Sequence, residues 1–119
     1  MDAYLVNFVM RKGKKGYGLF HKKLITTEYS IWLKNLDSVN SEKFILKANV
    51  ITVLISPTDL TYSGIRYLFM GLREFCEKNR IKRILVPVVP LVVKGADSEV
   101  IKMAIEKELV SKGLNVSAG

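Results

Sequence analysis

The chain has 119 residues and a formal net charge of +8 at neutral pH, a length that fits one domain, 1–119, with a real core. Its longest apolar run, Ile84 to Val93, contains Pro87 and Pro90 and falls well short of the roughly 20 residues a membrane-spanning helix needs. The start Met1-Asp2-Ala3-Tyr4 lacks the basic and apolar segments of a signal peptide. The single cysteine, Cys76, excludes an intrachain disulfide, and with only one histidine, His21, zinc and iron sites of the usual kinds are excluded too. A soluble protein in a reducing, cytoplasmic setting is expected, with no membrane partner and no cofactor.

In chain order, Ala3 to Met10 runs apolar almost without alternation, which predicts a strand buried on both faces. Arg11 to Gly18 is polar with three glycines and reads as a loop. Gly18 to Ile25 is ambiguous between helix and coil. Tyr29, Ile31 and Leu33 alternate as in a strand, while Trp32 and Leu36 also fit a helical turn. After a connection over Asp37 to Lys43, the segment Phe44 to Ser56 contains the β-branched run Val50 to Ile55, a central strand that Pro57 stops.

The clearest helix follows. Ile65, Leu68, Phe69, Leu72, Phe75 and Cys76 recur at the three-and-four spacing of one buried stripe, with Thr58, Asp59 and Thr61 as capping oxygens and Asn79 as the stop. Arg83 to Val89 reads as a buried strand, ended by Pro87 and Pro90 and followed by a loop. Asp97 caps a last helix whose stripe is Val100, Ile101, Ala104, Ile105 and Leu109, and Gly113 ends it. Strand, helix, strand, helix in this order predicts a βαβα unit with neighbouring parallel strands, hence an α/β fold of three layers around a mixed sheet.

Positive charge concentrates at two places: Arg11, Lys12, Lys14, Lys15, Lys22 and Lys23, then Lys78, Arg80, Lys82 and Arg83. Such clusters are either solvated turns or a basic face that meets phosphate. In the first cluster the run Gly13-Lys14-Lys15-Gly16-Tyr17-Gly18 adds glycines, which let backbone N–H groups approach an anion. It follows a buried strand, where ligands gather in α/β sheets. It lacks the Gly-Lys-Ser/Thr ending of the triphosphatase loop, which argues against ATP hydrolysis.

The run from Val6-Asn7-Phe8-Val9-Met10 through Gly13, Gly16 and Gly18 to Leu19 resembles the first ligand loop of macro domains, Val-Asn-x-x-Asn followed by Gly-x-Met-Gly-x-Gly. Farther on, Ser63, Tyr67, Gly71 and Leu72 stand where many small macro domains carry Ser-x-x-x-Tyr-x-x-x-Gly-Leu. Ile84 to Val100 is similar to that family's strand, second phosphate loop (Pro-x-x-Gly-x-Gly-x-Gly-Gly-x-Asp) and helix start. The resemblance implies a three-layer α/β/α fold and binding of ADP-ribose or a related nucleotide, some members also removing ADP-ribose from proteins or nucleic acids. On this reading Asn7, Gly13, Lys14, Lys15, Gly16, Tyr17, Gly18 and Gly95 contact the ligand, and Arg11, Lys12, Lys22 and Lys23 form the basic face beside it.

The departures are as specific. Met10 stands where the family's second, catalysis-linked asparagine would be, and a thioether lacks the amide's donors. Pro90 and Val92 replace glycines of the second loop; proline has no N–H to offer. The family's first strand, with its adenine-recognising aspartate, has no counterpart. The expectation is therefore a degenerate module that binds a nucleotide or another phosphate-bearing ligand without catalysis. The alternative is a platform for nucleic acid or protein that uses the basic loop. His21 has no partner placed with it by sequence. Cys76 is expected to be packed, and Tyr29, Trp32 and Phe44 to be core rather than base-stacking residues.

Overall fold

The computed structural model describes residues 3–10, 25–36 and 42–119. Strand β1 (Tyr4–Met10) has five consecutive buried residues, as a strand covered on both faces requires. Helix α1 (Thr27–Lys34) is capped by the Thr26 hydroxyl, which accepts from the Tyr29 N–H. Here the helix wins over the alternating reading: Tyr29 and Leu33, one turn apart, are buried, and Ile31 between them is 57% exposed.

The segment from Phe44 forms two strands rather than one. β2 (Phe44–Lys47) turns back through Ala48, at φ 55°, into β3 (Val50–Ile55), and the two pair antiparallel from Phe44↔Val53 to Lys47↔Val50. Helix α2 (Tyr62–Lys78) begins at Thr61, whose hydroxyl accepts from the Gly64 N–H, and ends at Asn79, as its pattern predicts. β4 (Arg83–Val86) is shorter than its apolar run. Val88 and Val89, expected to end the strand, and the residues after them, expected to form a loop, are instead a helix, α3 (Val88–Val93). Pro90 stands in its first turn, where an N–H would have no intrahelical partner and its absence costs nothing. Helix α4 (Ser98–Ala104) starts at Asp97, which accepts from the N–H groups of Glu99 and Val100, and continues through a π turn over Ile105–Leu109. Beyond Gly113 lies β5 (Asn115–Ala118), an edge strand.

The sheet order is β2-β3-β1-β4-β5, with β3, β1, β4 and β5 mutually parallel and β2 antiparallel at one edge. β3 and β4, joined through α2, are therefore not neighbours as expected. β1 lies between them, the position suited to a strand apolar on both faces. Leu5, Val9, Val50 and Leu54 face α1. Val6, Phe8, Ile51, Val53 and Ile55 face α2 and α4, whose Ile65, Phe69, Leu72, Ile101 and Leu109 complete the larger core. This is an α/β/α arrangement around a mixed sheet. Among the described residues no helix is long and apolar enough to cross a membrane.

One polar cluster is buried in the α1 layer. The register places Asn7 beside Thr52, and Tyr29 reaches both: Asn7 Nδ2 donates to the Tyr29 hydroxyl at 2.8 Å, and the Tyr29 and Thr52 hydroxyls share a 2.6 Å hydrogen bond. All three residues are fully buried. Tyr29→Phe should destabilise the fold by about 1–3 kcal/mol, because it strands two buried polar groups while removing little volume. Urea unfolding measures this directly, and an unchanged midpoint would mean the cluster contributes nothing to stability.

Candidate functional site

Parallel strands leave their C-terminal ends on one edge of the sheet, and in open α/β sheets ligands bind there, where the connections diverge to opposite faces. In this chain the divergence lies between β1 and β4. From β1 the chain leads to α1 on one face and then to β2 and β3. From β3 it crosses the other face through α2 to β4. β1 pairs with β3 as far as Met10↔Ile55, but with β4 only through Tyr4↔Ile84 and Leu5↔Leu85. The two neighbours therefore separate early. The glycine-and-lysine segment leaves the end of one, at Met10, and the Pro87 to Asp97 segment leaves the end of the other.

Three chain segments emerge at this edge, and two are fully described. The one after β3 is bonded to itself. Asp59 accepts from the Ser56 N–H at 2.8 Å and from Lys43 Nζ at 2.6 Å, and Lys43 also donates to the Leu54 carbonyl. Thr58 O accepts from the Thr61 hydroxyl, and it lies so near Gly64 that a Cβ there would come within 2.0 Å. The segment after β4 is α3 and its closure. The N–H groups of Lys94, Gly95 and Ala96 donate to Pro90 O, Val92 O and Leu91 O, so the donors a phosphate loop would offer are taken up in ending a helix. Gly95 has φ 114°, and a Cβ there would meet nothing within 4 Å. Glycine is needed there for that backbone angle.

The third segment carries most of the expected site. Gly13, Lys14, Lys15, Gly16, Tyr17 and Gly18, the basic residues Arg11, Lys12, Lys22 and Lys23, and His21 all lie outside the described residues. Of the expected ligand contacts, Asn7 and Gly95 are described. Asn7 is fully buried beneath α1, bound to Tyr29, and its Oδ1 has no hydrogen-bond partner among the described residues. Met10 packs against the core on the α2 side.

The remaining candidates take structural places. Trp32 packs on Tyr29 with ring centroids 5.6 Å apart, and Phe44 stacks on Phe75 at 5.7 Å while closing over Gly71. Ser63 and Tyr67 lie on the solvent side of α2, and Leu72 on its core side. Cys76 is buried, and its thiol is pushed up to about 12, first by desolvation and then by the neighbouring Glu77 carboxylate. It should resist iodoacetamide at pH 8 until the chain unfolds. Because the folded value exceeds the ordinary one of 9.0, its contribution to stability is complete below about pH 9 and declines as pH rises from there toward 12. Rapid alkylation of the native protein at pH 8 would contradict both statements.

Sequence reasoning missed two features, one within the sheet and one at this edge. The Asn7–Tyr29–Thr52 cluster left one signal, a polar residue in each of two otherwise apolar strands. The Lys43–Asp59 pair, 2.6 Å apart, left none, since it depends on the β2–β3 hairpin bringing Lys43 to the end of β3.

No protein-family model matches the chain, and no curated protein matches it in sequence. Its fold is similar to that of a protein of unknown function from Bacteroides thetaiotaomicron, with a TM-score of 0.57 and 16% identity over 99% of this chain and 88% of that one. A second structure from the same organism, a structural-genomics target solved by X-ray crystallography, matches at a TM-score of 0.57 and 15% identity over 98% of this chain and 87% of that one.

Proposed function

We propose that the chain is a degenerate macro-like module of the cytoplasm, which binds a nucleotide or another phosphate-bearing ligand of the ADP-ribose kind through the glycine-and-lysine segment 11–18, without catalysis. The observation that carries this reading is topological: the segment follows the C-terminal end of β1, the strand whose connection diverges from that of its neighbour β4, at the switch point of the sheet. Backbone N–H groups freed by Gly13, Gly16 and Gly18, with cations at Arg11, Lys12, Lys14 and Lys15, give that place both donors and charge.

The same edge argues against tight ADP-ribose binding and against turnover. The second loop's donors close a helix instead, and each missing hydrogen bond to a charged group removes about 1.5–3 kcal/mol. Two such losses turn a micromolar ligand into a millimolar one, since about 1.4 kcal/mol is tenfold. Met10 supplies no amide for the distal ribose and is engaged with the core.

Calorimetry with ADP-ribose, beside mononucleotides and single-stranded DNA, tests the reading. ADP-ribose should bind weakly, and changing Lys12, Lys14 and Lys15 to Ala should weaken it further with an unchanged melting temperature. Submicromolar ADP-ribose binding would show that the second loop's donors are not missed. Full binding by the triple variant would move the site elsewhere. A steep salt dependence with single-stranded DNA that is lost in the triple variant would favour the nucleic-acid platform of the basic loop instead.

A further inference from the structure

At the opposite end of the sheet α2 ends, the helical turns that continue α4 through Ile105–Leu109 and Val110–Lys112 end, and β4 and β5 begin. A cleft of ≈ 400 Å³ lies there, with Arg80, Lys82 and Lys112 on its walls beside the buried Ile81 and Leu114. Lys78 and Arg83 flank it in sequence, and all five cations are exposed. None of the five forms an ion pair among the described residues. The carboxylate lining the cleft, Glu77, is drawn to Arg73 at 3.5 Å. The C-terminal ends of α2 and α4 each present about half a negative charge, so together they offset about one of these five cations and leave a surplus.

Arg80 carries a second signal. It sits at φ 59°, just past the end of α2, where the N–H groups of Arg80 and Ile81 close the helix on Glu77 O and Cys76 O. Glycine is the residue that adopts this backbone without strain. At the corresponding end of α4 the chain does use glycine: Gly113 has φ 99°, and Leu114 N–H closes on Leu109 O. Two neighbouring helix ends thus share one backbone solution, and the one lining the cleft with a guanidinium accepts strain that the other avoids.

We propose that this cleft binds the phosphate backbone of a nucleic acid. It holds cations at a concave surface and no aromatic ring among its described lining residues, so it can contact phosphates but offers no platform on which bases stack. The contact is therefore electrostatic and independent of base sequence. An anionic membrane would call for apolar side chains that insert beside the cations. The most exposed ones, Val93, Tyr67 and Tyr62, lie on α3 and on the first half of α2, away from the cleft, and Val110 is the one exposed large apolar side chain within two residues of a cleft cation among the described residues. The site is separate from segment 11–18 and does not depend on the reading given for it.

The test measures fluorescence anisotropy of a labelled DNA duplex of about twenty base pairs over a salt series. The wild-type chain should bind at low salt regardless of sequence. The combined variant Arg80→Gly, Lys82→Ala, Lys112→Ala should bind about tenfold or more weakly, with the log–log salt slope reduced by about one for each residue changed. Arg80→Gly alone should weaken binding while leaving the melting temperature equal or higher, a pairing that a folding defect cannot produce. The variant with Lys12, Lys14 and Lys15 changed to Ala should keep its duplex affinity. The proposal is overturned by absence of duplex binding, by equal binding of the cleft variant, or by loss of binding in the segment 11–18 variant. It is overturned equally if phosphatidylserine vesicles or tripolyphosphate occupy the cleft in preference to the duplex.

Discussion

Phe69→Ala is expected to destabilise the fold by about 3–5 kcal/mol. Phe69 lies mid-way along α2, fully buried, and meets Phe8 of β1 edge-on with ring centroids 6.2 Å apart and planes at 88°. It joins the longest helix to the middle strand of the sheet. Truncation removes a ring's worth of buried area and leaves a cavity that the rigid strand on one side and the helix on the other cannot close. The aromatic pair adds about 0.5–1.5 kcal/mol beyond burial. Denaturant unfolding of the variant gives the number; a loss below about 1 kcal/mol would mean that the site collapses freely and that the α2–sheet contact is not what holds the layers together.

The second large effect is expected at Gly16, and it concerns binding rather than stability. If backbone N–H groups of segment 11–18 hold a phosphate, Gly16→Val places a branched side chain where the anion must approach, and binding of a single nucleotide should vanish. The fold should persist, because the segment lies beyond the last residue of β1 and both described cores are built from other residues. Unchanged affinity, with an intact melting transition, would show that the ligand does not approach that backbone.

Much of the fold was legible because its main elements announce themselves by local period. The stripe from Ile65 to Cys76 marks a helix in any context, and Val50 to Ile55 is too rich in β-branched residues to be anything but a strand. What was hidden is where the pattern is short or where tertiary context decides. Tyr29, Ile31 and Leu33 satisfy an alternating pattern by chance over five residues. The hairpin before β3 turns over Ala48 and Asn49, and the positive φ falls on Ala48, a residue that seldom takes it, so Asn49 alone is a weak mark of the bend. β5 reads Asn-Val-Ser-Ala because an exposed edge strand needs no apolar alternation. α3 was read as the end of a strand and the start of a loop because of Pro87 and Pro90, yet Pro87 precedes the helix and Pro90 falls in its first turn, both places where proline fits.

The candidate site was legible in its sequence position and not in its surroundings. Glycines and lysines after a buried strand point to an anion, but only the topology brings the ends of β1 and β4 to the same switch point. The second loop shows the converse. Gly95 and Asp97 match a phosphate loop by identity, while their backbone and side-chain groups are engaged in ending α3 and starting α4. Identity without free donors does not make a loop that binds phosphate.

Amide chemical shifts followed by NMR during titration with ADP-ribose test the central claim most directly. The account predicts shifts centred on Gly13, Gly16 and Gly18, saturating in the millimolar range, with Gly95 and Ala96 little affected because their N–H groups are already bonded within the chain. Shifts centred on Gly95 and its neighbours with segment 11–18 silent, or no shifts at all with ADP-ribose and with each mononucleotide tried, would contradict it.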